Sequence, residues 1–265
     1  MLGESDTGTT MTDIQQQALN YQCAEDTFKG RIILVTGAGA GIGRSAALAL
    51  AAHGATVILL GRTQEKLEAV YDEIKAAGGP EPALAPVNLT VARPEDFQEL
   101  AGLFDKEFGR LDGILHNASM LGDITPMDRY ATGTWDSVMQ TNVNSAFYLT
   151  QAMLPLLRAS DDARLLFTSS SVGRKGRAFW GAYAVSKAAT ENLAQVLAEE
   201  LENTSNIRVN TVNPGGTRTD MRAMAYPGED PLTLKTPADI MAPYLFLLGP
   251  DSRNVTGASI DAQPK

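Results

Sequence analysis

From residue 31 onward, short apolar runs alternate with longer stretches whose apolar residues recur at helical spacing. The runs at 31–35, 56–60, 83–87, 111–115, 164–168 and 208–212 read as strands. Between them, 45–53 reads as an alanine-rich helix, 64–77 as a helix closed by Gly78 and Gly79, and 94–108 as a third. A longer pattern at 134–157 predicts a helix interrupted near Pro155, and 183–201 predicts another long one. Strands alternating with helices of this length imply βαβ units, and so an α/β fold with a doubly wound parallel sheet covered by helices on both faces.

Residues 1–29 read as a polar extension with a short helix around 13–21, and residues 30–265 as one domain without repeats or linkers. The stretch 219–237 is rich in Pro, Gly and Met and has little periodicity, which suits a loop region covering a substrate. Composition narrows the setting. Of 265 residues, 44% are hydrophobic and 20% charged, a globular profile. No apolar run approaches the ~20 residues that span a bilayer, and the first ten residues lack a secretory pattern. A single cysteine, Cys23, rules out an intrachain disulfide and suits a reducing cytosol, so a cytoplasmic protein is expected. A net charge of −9 argues against nucleic-acid partners. His53 and His116 stand far apart without metal-ligand spacing, so no catalytic metal is expected.

The first strand runs directly into Thr36-Gly37-Ala38-Gly39-Ala40-Gly41-Ile42-Gly43 and then a helix. Glycine lets the backbone approach a pyrophosphate closely, and the helix N-terminus offers free N–H groups. Gly37, Gly39, Gly41, Ile42 and Gly43 are therefore candidate dinucleotide contacts in a Rossmann-like domain. A site for NAD needs an acidic residue near the end of the second strand. Here no Asp or Glu occurs between Gly37 and Gln64, and the strand ends in Gly61-Arg62. Arg62 can pair with a 2′-phosphate, so NADP(H) is the expected cofactor.

Tyr183 and Lys187 lie four apart on a predicted helix and share one face, where an ammonium can lower the pKa of a phenol. With the T-G-x-x-x-G-x-G turn, this Y-x-x-x-K pair resembles the short-chain dehydrogenase/reductase family, and the likeness extends over nearly all of the chain from about Arg31. Ser170, thirteen residues before Tyr183, matches the family's serine. Asn142 matches its helix asparagine, His116-Asn117-Ala118-Ser119 its N-N-A-G, and Pro214-Gly215 with Thr219 its P-G-x-x-x-T. Phe167 to Arg174, Asn213 to Thr219 and the ending Asp261-Ala262-Gln263-Pro264 resemble, more narrowly, the YciK-like bacterial oxidoreductases.

The resemblance implies hydride transfer between a nicotinamide and a small carbonyl or alcohol substrate. Tyr183 would be general acid/base, Lys187 would lower its pKa and hold the nicotinamide ribose, Ser170 would bind the substrate oxygen, and Asn142 would support a water link to Lys187. Asn88, Leu89, Asn117, Ala118, Pro214, Gly215, Thr217 and Thr219 would touch the cofactor alongside Tyr183 and Lys187. It also implies a homodimer or homotetramer through the helices near 145–154 and 183–201. Asn88, Ser119 and Asp261-Ala262-Gln263 depart from the common pattern, at cofactor contacts and not at the four chemical residues.

Two alternatives stay open. The basic residues Arg174, Lys175, Arg177, Arg218 and Arg222 suggest a reductase of 3-oxoacyl thioesters on an anionic carrier, although an ordinary solvated loop explains them as well. A non-catalytic NADPH-binding sensor is the other. Met221, Met224 and Tyr226 are candidate pocket lining, and Trp180 either shapes the pocket or packs in the core.

Overall fold

A computed structural model describes residues 10–264. Seven parallel strands form one sheet in the order β3-β2-β1-β4-β5-β6-β7. They are β1 (Ile32–Thr36), β2 (Thr56–Gly61), β3 (Ala83–Pro86), β4 (Gly113–His116), β5 (Ala163–Thr168), β6 (Ile207–Asn213) and β7 (Ser259–Asp261). The helices are α1 (Met11–Leu19), α2 (Gly41–Ala52), α3 (Gln64–Ala76), α4 (Pro94–Phe108), α5 (Thr132–Met139), α6 (Ser145–Arg158), α7 (Ser171–Arg174), α8 (Gly181–Glu202), α9 (Asp220–Ala225) and α10 (Met241–Leu248).

Alternation along each strand divides the core in two, as a doubly wound sheet requires. Ile33, Val35, Val57 and Leu59 face α2, α3 and α10, whereas Leu34, Ile58 and Leu60 face the side of α4, α6 and α8. The order reverses between β1 and β4, so the carboxyl ends of β1, β4, β5 and β6 open onto one crevice, where such sheets bind ligands.

Four features differ from the sequence expectation. First, β7 has three residues, too few to register as a periodic run. Second, α10 is apolar on every side because it is buried between α1, α2 and the sheet, so it shows no polar face to betray a helix. Third, the helical pattern at 134–157 is not broken at Pro155, which sits inside α6 on its exposed side, where water can serve the freed carbonyl. The interruption is instead a π-helical turn at Gln140–Asn144. Fourth, residues within the polar stretch ahead of β1 enter the core: Ala18 and Phe28 are fully buried. Thr10 and Asp13 cap α1 reciprocally, and the Gln15 side chain bonds both the N–H and the carbonyl of Asp261 (2.9 and 2.6 Å). That pairing covers the free edge of β7.

Candidate active site

The glycine turn is built by close approach. Gly37 has φ of +70°, and a Cβ there would stand 3.0 Å from the Ala118 Cα; a Cβ on Gly43 would collide with the Gly37 carbonyl and the Asn117 amide. Thr36 fastens the turn to the end of β4: its hydroxyl accepts from the N–H groups of Asn117 (2.9 Å) and Ala118 (3.0 Å). Helix α2 begins at Gly41 with Ala40 as its cap residue, which offers no side-chain oxygen to the first-turn N–H groups. An uncapped, glycine-lined helix start is an anion cradle.

A cleft of about 780 Å³ runs from this turn across the carboxyl edge of the sheet. Gly37, Gly39, Arg62, Asn88, Leu89 and Ala118 line it, as does Ser119, whose buried hydroxyl has no partner among the described residues. Arg62 is exposed and makes no ion pair among those residues. Gly41 faces the Thr219 side chain. Pro214, Gly215 and Thr217 follow β6, where the Gln263 amide donates to the carbonyls of Pro214 (2.7 Å) and Gly216 (3.0 Å) and lies 3.2 Å from the Thr217 hydroxyl. The cradle a Cβ would fill, the orphaned Ser119 hydroxyl and the free cation at the end of β2 all fit a phosphorylated dinucleotide.

Lys66 escaped the sequence reading. It lines the cleft beside Arg62, and its Cβ occupies the space a side chain on Gly39 would need. Its signal was a second cation four residues after Arg62, hidden in an ordinary helical pattern.

At the carboxyl end of β5, α8 carries Tyr183 and Lys187 inward on one face, both buried. The short helix α7 lies directly on this face because Gly173 has no Cβ to strike Lys187. Ser170, at the N-terminus of α7, places its hydroxyl near enough to that of Tyr183 to favour the phenolate. The Lys187 ammonium lies 5.6 Å from the centre of the Tyr183 ring and donates to the Thr168 carbonyl (2.7 Å).

Electrostatics here depart from the simple expectation of a tyrosine acidified by its lysine. Burial pushes the Tyr183 phenol up to about 12, with the nearby Ser170 hydroxyl opposing. Burial also lowers Lys187 to about 8, while the Glu191 carboxylate pulls it back up. Desolvation outweighs the pairwise attraction, so phenol and ammonium are the dominant forms at pH 7. Glu191 was also missed, although it completes the spacing 183, 187, 191. It is buried, and it accepts from Arg174 (3.3 Å), Thr211 (3.0 Å) and Ser259 (3.0 Å).

Asn142 lies in the π-helical turn and uses its whole amide: Oδ1 accepts from the Met120 N–H (2.7 Å), and Nδ2 donates to the Met120 carbonyl and the Ser186 hydroxyl (both 2.9 Å). Its side chain thus fixes the segment after β4. A void of about 10 Å³ among Asn142, Thr168 and Lys187 is the size of one water. His116 stacks on Phe167 at 4.5 Å and bonds Thr150 (2.9 Å), and burial lowers it to about 3, so it stays neutral as a packed histidine should.

The sequence matches the short-chain dehydrogenase family over residues 31–230. It is 55% identical to the oxidoreductase YciK of Escherichia coli K12, over 93% of this chain and 97% of that one. A short-chain dehydrogenase from Shigella flexneri, solved with NADP, superposes with a TM-score of 0.89 at 56% identity, covering 91% of this chain and all of its own. One from Escherichia coli CFT073, solved with NADPH, gives the same TM-score, identity and coverage.

Proposed function

The chain belongs to the short-chain dehydrogenase family of oxidoreductases, and on that footing we propose that it reduces a small carbonyl compound with NADPH, reversibly, with Tyr183 as the general acid. The observation that carries this reading is the convergence of half-buried Ser170 with buried Tyr183 and Lys187 at the carboxyl end of β5, on the crevice that the glycine turn shares. When bound, the reduced nicotinamide supplies the hydride. Tyr183, kept as phenol by burial, is in the form that gives a proton to the forming alkoxide. Ser170 donates a hydrogen bond to the same oxygen. Lys187, with a value of about 8, is roughly nine-tenths ammonium at pH 7 and stabilises the phenolate left behind. Because both amide protons of Asn142 are spent and its oxygen is turned to the Met120 N–H, its water link to Lys187 runs through the backbone of the π-helical turn and the one-water void.

Preference for NADPH over NADH rests on Arg62 and Lys66 together, and the NADP and NADPH complexes of the similar proteins support it. The turn residues Gly37, Gly39, Gly41, Ile42 and Gly43 would take the pyrophosphate. Phe147 on α6 with Val185 and Val196 on α8 are exposed apolar side chains, which suits pairing of two copies through these helices. A cytoplasmic setting suits the free thiol of Cys23.

The direct test uses NADPH deuterated at C4 against ketones, aldehydes, diketones and quinones. Deuterium at the carbinol carbon of a product establishes hydride transfer to carbonyl. NADPH that binds tightly and transfers to nothing in the panel contradicts it.

A further inference from the structure

Charge is distributed unevenly along the cleft. Its lining carries three charged side chains: Arg62 and Lys66 together after β2, and Asp123 in the segment after β4. Around Asp123 the lining is mostly apolar, with Met120, Leu121, Ile124, Met221 and Met224 beside Gly122 and Thr134. Tyr183 itself belongs to an apolar cluster with Leu121, Val172 and Ala184, against which Trp180, Met221 and Ala225 pack. The Trp180 ring stands between Tyr183 and Tyr226, 5.8 Å from each.

Four of the five cations that suggested an anionic substrate are engaged elsewhere; Lys175 is exposed and makes no ion pair among the described residues. Arg174 donates to Asp261 (2.7 Å), Ser259 (2.7 Å) and Glu191. Arg222 grips Glu229 with two bonds of 2.6 Å and stacks on the Tyr226 ring at 3.8 Å. Arg218 donates to the carbonyls of Pro231 (2.7 Å) and Leu234 (3.1 Å), and Arg177 donates to the Tyr226 hydroxyl (2.9 Å). Arg177, Arg218 and Arg222 fasten the end of α9 and the segment after it, and Arg174 ties α7 to α8 and β7, so a phosphate would have to compete with fixed partners. The rim is apolar instead. Met224 and Ile124 are exposed. So is Phe179, which holds a left-handed φ of +73° while its carbonyl accepts from the Thr125 N–H (3.1 Å). A bulky non-glycine residue in that conformation is strained, and such strain concentrates at binding sites.

We propose that the substrate is an uncharged ketone or secondary alcohol bearing an aromatic or alicyclic ring, and that the site disfavours anionic carbonyl compounds, acyl groups on phosphate-bearing carriers included. The Asp123 carboxylate and the apolar side chains around it exclude charge, and Trp180 with Met221 and Met224 offers a polarisable wall for a ring. This rests on the reading of Tyr183 as the reducing centre.

Two matched pairs test it. Methyl 4-acetylbenzoate and 4-acetylbenzoate differ in one negative charge; S-ethyl 3-oxobutanethioate and 3-oxobutanoyl-coenzyme A differ in the anionic carrier. With NADPH, the neutral member of each pair should show kcat/KM at least about tenfold higher. Asp123→Asn should narrow the gap in the benzoate pair, and Met224→Glu, an exposed position where folding is safe, should raise KM for the methyl ester severalfold. An anionic member equal to or better than its neutral partner overturns the proposal and leaves carbonyl reduction intact, as does an Arg177→Gln effect on KM confined to the coenzyme A thioester. If nothing is reduced, quenching of tryptophan fluorescence in the NADP complex decides separately. Binding of the methyl ester but not the acid keeps the site's chemistry and removes the reaction; binding of neither overturns the proposal.

Discussion

Replacing Glu191 by Gln removes one charge from the buried face of α8 and keeps the side chain's shape. Residues i and i+4 on a helix have Cβ atoms ~6 Å apart. Taking the same ~6 Å as the charge separation and an effective dielectric of ~20, the attraction of the Glu191 carboxylate for the Lys187 ammonium is ~3 kcal/mol, or ~2 pK units. Arg174, Thr211 and Ser259 all bond this carboxylate and polarise against it, so we take roughly half, about one unit. Lys187 then falls from about 8 to roughly 7. The ammonium is the form that stabilises a Tyr183 phenolate, so activity is present below the Lys187 value and lost as pH rises through it. At pH 6 the variant should match the parent closely. At pH 8 about half of the parent's lysines but only about a tenth of the variant's are charged, a fivefold deficit. The assay is kcat/KM for NADPH-dependent reduction between pH 5.5 and 9.5, with the alkaline limb moving down by about one unit. Superimposable profiles would refute the claim that Glu191 sets the charge on Lys187; a uniform drop at every pH would mean a structural role alone.

Arg62→Asp should raise the Kd for NADPH about a hundredfold by equilibrium titration, from lost charge-assisted bonds and added repulsion, and leave NADH little changed; Lys66→Ala should act in the same sense by severalfold. Equal effects on both cofactors would mean that neither residue reads the 2′-phosphate. Phe28→Ala should cost about 3–5 kcal/mol, a fall of roughly 6–20 °C in Tm, because the ring is fully buried under α2 and α10; a loss below ~1 kcal/mol would mean that the segment ahead of β1 is peripheral.

Much of the fold was legible because its strands and helices obey local rules. The six expected strands fall within two residues of β1 to β6, and the helix after Gln64 starts as expected. The glycine turn was legible because its φ values and close contacts admit no other residue. What escaped depends on tertiary surroundings. Helix α10 has no polar face because it is buried between α1, α2 and the sheet, and β7 exists because β6 provides a partner to pair with. The π-helical turn that aims the Asn142 amide at Met120 leaves no mark in the residue pattern. At the site, residue identities and spacings found Ser170, Tyr183 and Lys187, but burial decides their charge, and burial is a property of the assembled core. The arginines after Ser170 looked like an anion site in sequence; only the folded chain reveals that Asp261, Glu191, Glu229 and a tyrosine hydroxyl engage Arg174, Arg222 and Arg177.

The central claim is that Tyr183 gives the proton in an NADPH-dependent reduction. Tyr183→Phe keeps the ring against Trp180 and removes only the hydroxyl. NADPH affinity and kcat/KM for the best substrate should be measured on the same preparation. The account predicts a Kd within about tenfold of the parent and a kcat/KM at least ~10³ lower, the upper part of the range for a general acid. A variant that binds NADPH normally and retains kcat/KM within about tenfold would contradict it.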